Sequence, residues 1–143
     1  HTKGHMVRAL LEGVAFGHRQ HIEMMRAAGA SFNEAVLSGG GSRSLIWPQI
    51  FADVLGLPVS IARSSQTGAL GAAIAAGTGI GIFADFSAGA EAMVTSERHY
   101  KPDAKRAKHY ERRYQLYLEI AAAMAPIWRQ MAESDAVATE VAA

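Results

Sequence analysis

The sequence predicts an α/β domain in which helices alternate with short parallel strands and a long helix closes the pattern. Segments with apolar residues at helical spacing alternate along the chain with short apolar runs of strand length. Glycine or proline stands between most of these segments and marks turns. Because two parallel strands need a crossover connection, this alternation favours parallel pairing within one layer.

The first half of the chain predicts two helices with one strand between them. Apolar residues recur at helical spacing over about 6–28, and Gly29 can cap that helix. A strand is expected over about 34–38, followed by a glycine-rich turn. The next helix is expected over about 44–55 and ends at Gly56.

The second half predicts a strand over about 58–62 and then a helix of small residues over 68–77. Small side chains there would let another backbone approach closely. The pattern from 78 to 96 is irregular, with a short helix expected over 86–93.

A long amphipathic helix is expected after Pro102, with an apolar stripe from Tyr110 to Met131. Pro126 lies within this stripe and predicts a kink or an early end. Residues 1–133 are therefore expected to form the domain, and residues 134–143 a disordered tail.

Two strands are too few for an independent sheet. The chain also begins with His1 and not with Met. We therefore expect it to be a piece of a longer protein. The missing strands would come from upstream sequence, from another chain or from a second copy.

The composition of the chain argues against several classes of protein and site. A chain of 143 residues, half of them apolar, is long enough for one domain with a core. A formal net charge of +1 gives no reason to expect nucleic acid as a partner. No apolar run approaches the length of a membrane helix. The absence of cysteine excludes disulfides and thiolate metal sites and is compatible with the cytoplasmic location that we expect.

The most informative segment is the glycine turn, LSGGGSRS at residues 37–44. It lies between a predicted strand and a predicted helix, where bare backbone N–H groups can approach a ligand. Phosphates and nucleotides bind at such places. The segment lacks the Gly-Lys-Ser/Thr ending of a nucleoside-triphosphatase P-loop and the spacing of the dinucleotide fingerprint. A purely structural strand-to-helix turn therefore stays an alternative.

Four blocks of the sequence follow one another: residues 5–16, 37–44, 47–59 and 69–76. In this order they resemble the carboxy-terminal part of the FGGY family of carbohydrate kinases. HMVRALLE at 5–12 is similar to the end of the family's second signature, and the run continues to Phe16. Residues 37–44 resemble the family's adenosine-binding turn. WPQIFADVLGLPV at 47–59 resembles the helix and strand after that turn, and ALGAAIAA at 69–76 the small-residue helix that closes the nucleotide lobe. The likeness extends over roughly residues 3–132 and looks closest to the xylulokinase and L-xylulose kinase branch.

The resemblance implies part of a ribonuclease-H-like, actin-like ATPase lobe. Such kinases move the γ-phosphate of ATP, with Mg²⁺, to a sugar hydroxyl in a cleft between two lobes. In the family, the catalytic aspartate and the threonine-rich phosphate turn lie upstream of the segment that corresponds to His1. The resemblance therefore implies no catalytic residue and no metal ligand in this chain. The chain alone is expected to be inactive, and the sugar, a pentulose or similar polyol, to bind through the missing amino-terminal lobe.

The residues that the resemblance assigns to ATP binding are in the glycine turn: Gly39, Gly40, Gly41, Arg43 and Ser44. Gly39 and Gly40 match the paired glycines whose backbone lies against the nucleotide. The family often has a small side chain at the position of Gly41. Ser44 can contact the adenine edge or simply cap the next helix. Arg43 can lie along the ribose or α-phosphate or point into water.

Other polar residues are more economically explained as structural. Gln49 and Asp53 share one face of a helix and are expected to tie neighbouring loops together. Glu12 is expected to bond a nearby backbone or Arg8. His18 and His21 lack a third ligand at matching spacing, which argues against a metal site.

Basic residues cluster between residues 101 and 113, with tyrosines interleaved. Nucleic-acid binding is one interpretation. A solvated helix face whose tyrosines are buried is the favoured one. Two function hypotheses outside catalysis also stay open: a nucleotide-binding or oligomerisation module, and an unrelated α/β interaction domain.

Overall fold

Five α-helices and a three-stranded sheet make up the part of the chain that the computed structural model describes, residues 1–64 and 66–141. Side chains are described as far as Glu133. In chain order the elements are α1 (Lys3–Ala27), β1 (Ala35–Leu37), a 3-10 turn (Gly40–Arg43), α2 (Trp47–Leu55), β2 (Val59–Ala62), α3 (Thr67–Gly79), α4 (Phe86–Met93), β3 (Ser96–Tyr100) and α5 (Ala104–Val141). The predicted order of helices and strands up to α4 is confirmed.

The sheet has the order β1-β2-β3. β1 and β2 are parallel, with Leu37 opposite Ile61, which confirms the predicted pairing. β3 runs antiparallel to β2, with Arg98 opposite Ile61. The prediction of only two strands was wrong, because β3 reads Ser-Glu-Arg-His-Tyr and lacks the apolar alternation that marks a strand.

The core lies between one face of this sheet and the helices α1, α2 and α5. Val59 and Ile61 of β2 are each 2% exposed. Seven residues of α2 are buried, and the helix ends at Gly56 in the left-handed conformation (φ 64°), as predicted. Tyr110 and Tyr114 bring α5 into the core at 2% and 1% exposure.

Polar side chains fasten α5 to this core. The Tyr110 hydroxyl donates to Glu12 Oε1 at 2.9 Å, and Glu12 also accepts from Arg8 Nε at 2.8 Å. The Tyr114 hydroxyl donates to Glu23 Oε2 at 2.7 Å. The structural interpretation of Glu12 is therefore confirmed.

The predicted role of Gln49 and Asp53 is also confirmed. Asp53 Oδ1 accepts from Gln49 Nε2 at 2.9 Å and from the Asp103 amide at 2.8 Å, and Gln49 Nε2 is 2.9 Å from the Lys101 carbonyl. The second carboxylate oxygen accepts from Arg106 Nε at 2.5 Å. These bonds join α2 to the segment that leads into α5.

The basic residues between 101 and 113 form an exposed face, whereas the tyrosines of α5 in that stretch are buried. This is the arrangement of an ordinary amphipathic helix. The apolar stripe of α5 becomes more exposed towards its carboxyl end, where Ile127 and Trp128 are 46% and 51% exposed.

The predicted early end at Pro126 was wrong, since α5 continues to Val141. A proline at this position leaves the carbonyl of Ala122 without its helical partner. Ala122 is exposed, so water can satisfy that carbonyl. The tail predicted over 134–143 falls on residues whose side chains lie outside the described ones, and it stays a prediction.

α3 packs closely against α4 and the segment between them, at the end of the predicted small-residue helix and not at its middle. A Cβ added at Gly77 would lie 2.7 Å from the Phe83 ring, and one at Gly89 would lie 2.6 Å from Ile74 Cγ2. Gly71, which was expected to allow close packing, has open space around it. None of the helices in the described ranges combines the length and apolarity that spanning a bilayer needs.

Candidate functional site

The glycine turn follows the carboxyl end of β1 and is held by its own backbone. Gly39 has a φ of 77°, a conformation that side chains rarely adopt, and therefore has to be glycine. The carbonyl of Gly39 accepts from the Ser42 amide at 3.2 Å and from the Ser42 hydroxyl at 2.7 Å. The Gly41 carbonyl accepts from the Ser44 amide at 3.2 Å. The chain thus folds back on itself as a single 3-10 turn.

Two backbone donors of this turn are left without a partner. Within the ranges that the structure describes, no hydrogen bond reaches the amides of Gly40 and Gly41. Gly40 is exposed, and a Cβ added there would meet nothing within 4 Å. Gly40 therefore offers an N–H group beside open space, which suits an oxygen-rich ligand.

Gly41 serves a different purpose. A Cβ at this position would lie 2.8 Å from Trp47 Cζ3 and 3.0 Å from Cε3, so the turn lies directly on the indole ring. Trp47 is fixed in turn, since its Nε1 donates to the Leu11 carbonyl at 3.1 Å and its ring packs on Phe51. Gly41 is therefore needed for the close packing of the turn against Trp47.

Ser44 and Arg43 close the turn. Ser44 Oγ accepts from the amides of Ile46 at 3.2 Å and Trp47 at 3.1 Å. It therefore bonds to the start of α2, although the N-cap of this helix is Ile46 and not Ser44. Arg43 is exposed on the surface of the turn. The structure thus brings all five predicted residues into one loop, and Gly40 is the one with the most open surroundings.

A cavity of about 480 Å³ opens at the same edge of the sheet. It lies beyond the carboxyl ends of β1 and β2 and against the first turns of α3, the usual place for a ligand in a parallel sheet. Ser38 lines it and directly precedes Gly39, so cavity and turn are contiguous. Its walls are polar at Ser38, Arg63, Ser64, Thr67 and Thr95, and otherwise mainly apolar at Val36, Ala62, Leu70, Gly71, Ile74, Met93 and Val94.

Several of these lining residues escaped the sequence reasoning. Ser64 and Thr67 follow the strand next to the glycine turn, and the sequence favours no ligand contact there over a simple polar turn. Parallel neighbours end at the same sheet edge, and that rule could have found them. Thr95 carried no such signal, because β3 was not predicted.

The remaining candidates do not gather into a second site. The rings of His18 and His21 are perpendicular with centroids 6.3 Å apart, and His18 packs against Phe51. Among the described residues, no three His, Asp or Glu side chains are grouped to hold a metal ion.

Comparison with known proteins identifies the family. Residues 1–80 match the model described as "FGGY family of carbohydrate kinases, C-terminal domain". The chain belongs to this family. The predicted resemblance is thereby confirmed, and so is the actin-like α/β fold that it implied.

Two curated relatives show how far the likeness extends. The chain is 34% identical to L-xylulose/3-keto-L-gulonate kinase of Escherichia coli over 124 residues, which is 87% of this chain and 25% of the relative. It is 36% identical to autoinducer-2 kinase of Enterobacter sp. over 111 residues, or 77% of this chain and 21% of the relative.

Among solved structures, xylulose kinase from Rhodospirillum rubrum superimposes with a TM-score of 0.80 at 34% identity, covering 90% of this chain and 26% of that one. The chain thus spans about a quarter of the length of the relatives that it matches.

Proposed function

We propose that this chain is the adenosine-side part of an ATP-dependent sugar kinase, and that the turn at Gly39, Gly40 and Gly41 receives the nucleotide. The observation that carries the proposal is the pair of amides at Gly40 and Gly41, which have no hydrogen-bond partner among the described residues. Gly40 lies beside open space, and the cavity at the strand ends begins at Ser38, two residues before it. Ser44 and Arg43 lie on the same loop, within the region where ribose and phosphate oxygens would be bound.

The cavity fits part of a nucleotide chemically. Its apolar walls suit a flat ring or the carbon face of a sugar, and its hydroxyls and the Arg63 guanidinium suit oxygen atoms. Helical backbone donors next to such a cavity favour negative charge. ATP, when bound, supplies the phosphoryl group, and this chain's residues would hold its nucleoside end.

The described residues do not fit a magnesium site or a catalytic base. Their buried or half-buried carboxylates are already engaged: Glu12 with Arg8, Glu23 with Arg19, and Asp53 with Arg106. Asp103, also half-buried, accepts from the amides of Lys105 and Arg106. Phosphoryl transfer needs charge neutralisation and a base for the incoming hydroxyl. We therefore infer that Mg²⁺ and the base are held by the remainder of the protein, and that this chain alone does not catalyse the reaction.

The acceptor is proposed to be a pentulose or a similar small polyol, since the relatives are named as kinases of xylulose, L-xylulose and related molecules. The sugar would bind mainly outside this chain. We further infer a cytoplasmic location, where ATP is available.

The proposed partner of this chain is the remainder of the kinase or a second copy. β1 has β2 on one side and, within the described ranges, no strand on the other. Val36, in the middle of β1, is 60% exposed. An open edge of this kind pairs readily with another strand.

Calorimetric titration with ADP tests the nucleotide assignment. The wild-type chain should bind, and Gly40→Val should weaken binding at least about tenfold, because its side chain occupies the space beside the free amides. Gly79→Val is the matched control, since Gly79 is also exposed and unobstructed but lies at the far end of α3. Equal binding by Gly40→Val and wild type contradicts the assignment, as does absence of binding to wild type.

A chimera tests the catalytic part. The corresponding carboxy-terminal segment of Rhodospirillum rubrum xylulose kinase would be replaced by this chain, to which it is 34% identical. The chimera should phosphorylate xylulose with ATP, and Gly40→Val should raise KM for ATP or abolish turnover. A folded chimera that never turns over contradicts the proposal.

A further inference from the structure

Arg98 of β3 reaches across the sheet to the glycine turn. It stands in one cross-strand row with Leu37 and Ile61, because Leu37 pairs with Ile61 on one side of β2 and Arg98 on the other. Its Nη2 donates to the Ser42 carbonyl at 2.7 Å, a contact between residues 56 positions apart. β3 thus contacts the turn directly, although β1 and β3 are at opposite edges of the sheet.

The Arg98 guanidinium has few other hydrogen-bond partners besides the Ser42 carbonyl. Its Nη1 lies 3.3 Å from the Tyr100 hydroxyl, and its Nε is buried without a hydrogen-bond partner among the described residues. Burying the Nε–H group without a partner costs free energy, which another bond of the guanidinium has to offset. A charge-assisted bond to a carbonyl meets that requirement.

The bond bears on the conformation of the turn. Ser42 is buried, and its hydroxyl already closes the turn onto the Gly39 carbonyl. Arg98 holds the Ser42 carbonyl from outside the turn. The two contacts fix the residue that follows Gly40 and Gly41, and thus hold the turn in the conformation in which these two amides have no hydrogen-bond partner among the described residues.

We propose that Arg98 is a positioning residue for the nucleotide: it holds the glycine turn so that the Gly40 and Gly41 amides stay available to the nucleotide, and it acts through Ser42. The proposal rests on the nucleotide-binding role proposed above. It adds β3, which lies outside the matched residues 1–80, to the parts of the chain that set nucleotide affinity.

The experiment compares Arg98→Met, which removes the donor, with Arg98→Lys, which keeps a cationic donor of shorter reach. Arg112→Met is the control, because Arg112 is an exposed arginine on α5. Each variant of the chain is titrated with ADP by calorimetry. Amide hydrogen exchange of the turn is measured by NMR against that of α2.

Arg98→Met should weaken ADP binding about tenfold, the equivalent of one charge-assisted hydrogen bond. Exchange at Ser42 and Ser44 should quicken while α2 stays protected. Arg98→Lys should fall between Arg98→Met and wild type, and Arg112→Met should match wild type. A merely structural arginine would instead lower the melting temperature and leave ADP affinity of the folded chain unchanged.

Wild-type ADP affinity in a folded Arg98→Met overturns the proposal, whether or not exchange in the turn changes. Should Arg98→Met not fold, Arg98→Lys decides alone: weaker ADP binding with faster turn exchange supports the proposal, and wild-type values of both overturn it. Failure of the wild-type chain to bind ADP overturns the nucleotide role itself. That outcome is distinguishable, because turn exchange in the variants still reports whether Arg98 holds the turn.

Discussion

Removing the Asp53 carboxylate should detach α5 from α2. The side chain is 1% exposed and accepts three hydrogen bonds, from Gln49, from the Asp103 amide and from Arg106. A hydrogen bond to a charged group is worth about 1.5 kcal/mol or more, and the first two of these bonds are enclosed. The Arg106 side chain is 50% exposed, so solvent screens its ion pair and the pair adds little to this sum. The free energy of unfolding of Asp53→Ala should therefore fall by about 3 kcal/mol.

Urea unfolding followed by circular dichroism measures this loss. Asp85→Ala is the matched control, because Asp85 is an aspartate that makes one capping bond, to the Ala88 amide at 2.8 Å. That control should cost about 1 kcal/mol. An Asp53→Ala variant that loses no more stability than Asp85→Ala would refute the reasoning, since the three bonds would then contribute no more than one exposed cap.

Three further predictions follow from the structure. Gly41→Ala should lower the free energy of unfolding by about 1–3 kcal/mol, because its Cβ collides with Trp47. Gly40→Ala should leave the free energy of unfolding nearly unchanged, and equal losses of the two variants in urea unfolding would contradict this. Burial, together with the bond to Glu23, raises the pKa of Tyr114 above its ordinary value. The neutral Tyr114 hydroxyl contributes its full stabilisation below the pKa of the unfolded state, about 10, and this contribution falls as the pH rises above that value. Tyr114→Phe lacks the hydroxyl, so its free energy of unfolding should fall less than that of wild type between about pH 8 and about pH 11. The chain should associate through the open edge of β1, and Val36→Lys should reduce the association; a wild-type monomer at every concentration in sedimentation velocity would count against the edge.

Elements with strong local signals could be predicted from the sequence. Gly56 and Pro58 mark the end of α2, and the apolar run of β2 follows them directly. Asp85 caps the short helix at 86–93 as an N-terminal aspartate should. In each case the residues that decide the structure are neighbours in the chain.

Elements decided by distant residues could not be predicted in this way. β3 forms because β2 offers a free edge, and its own five residues carry almost no apolar signal. The bond from Arg98 to Ser42 depends on that unpredicted strand. To predict the cavity, one has to know the register of β1 with β2 and the position of Thr95, and neither follows from neighbouring residues in the sequence.

The glycine turn shows both limits together. Its position and the conformational demand at Gly39 are legible in three consecutive glycines. The sequence does not distinguish Gly40, which faces open space, from Gly41, which lies on Trp47. Only the tertiary position of Trp47 separates a glycine available to a ligand from one needed for packing.

An NMR titration of the chain, labelled with ¹⁵N, against ADP tests the central claim most directly. The account predicts that the largest amide shifts fall on Gly40 and Gly41, with smaller ones at the cavity residues Ser38 and Thr67, and none along the exposed half of α5. Shifts confined to other surfaces, or saturating ADP that leaves the Gly40 and Gly41 amides unmoved, would contradict it.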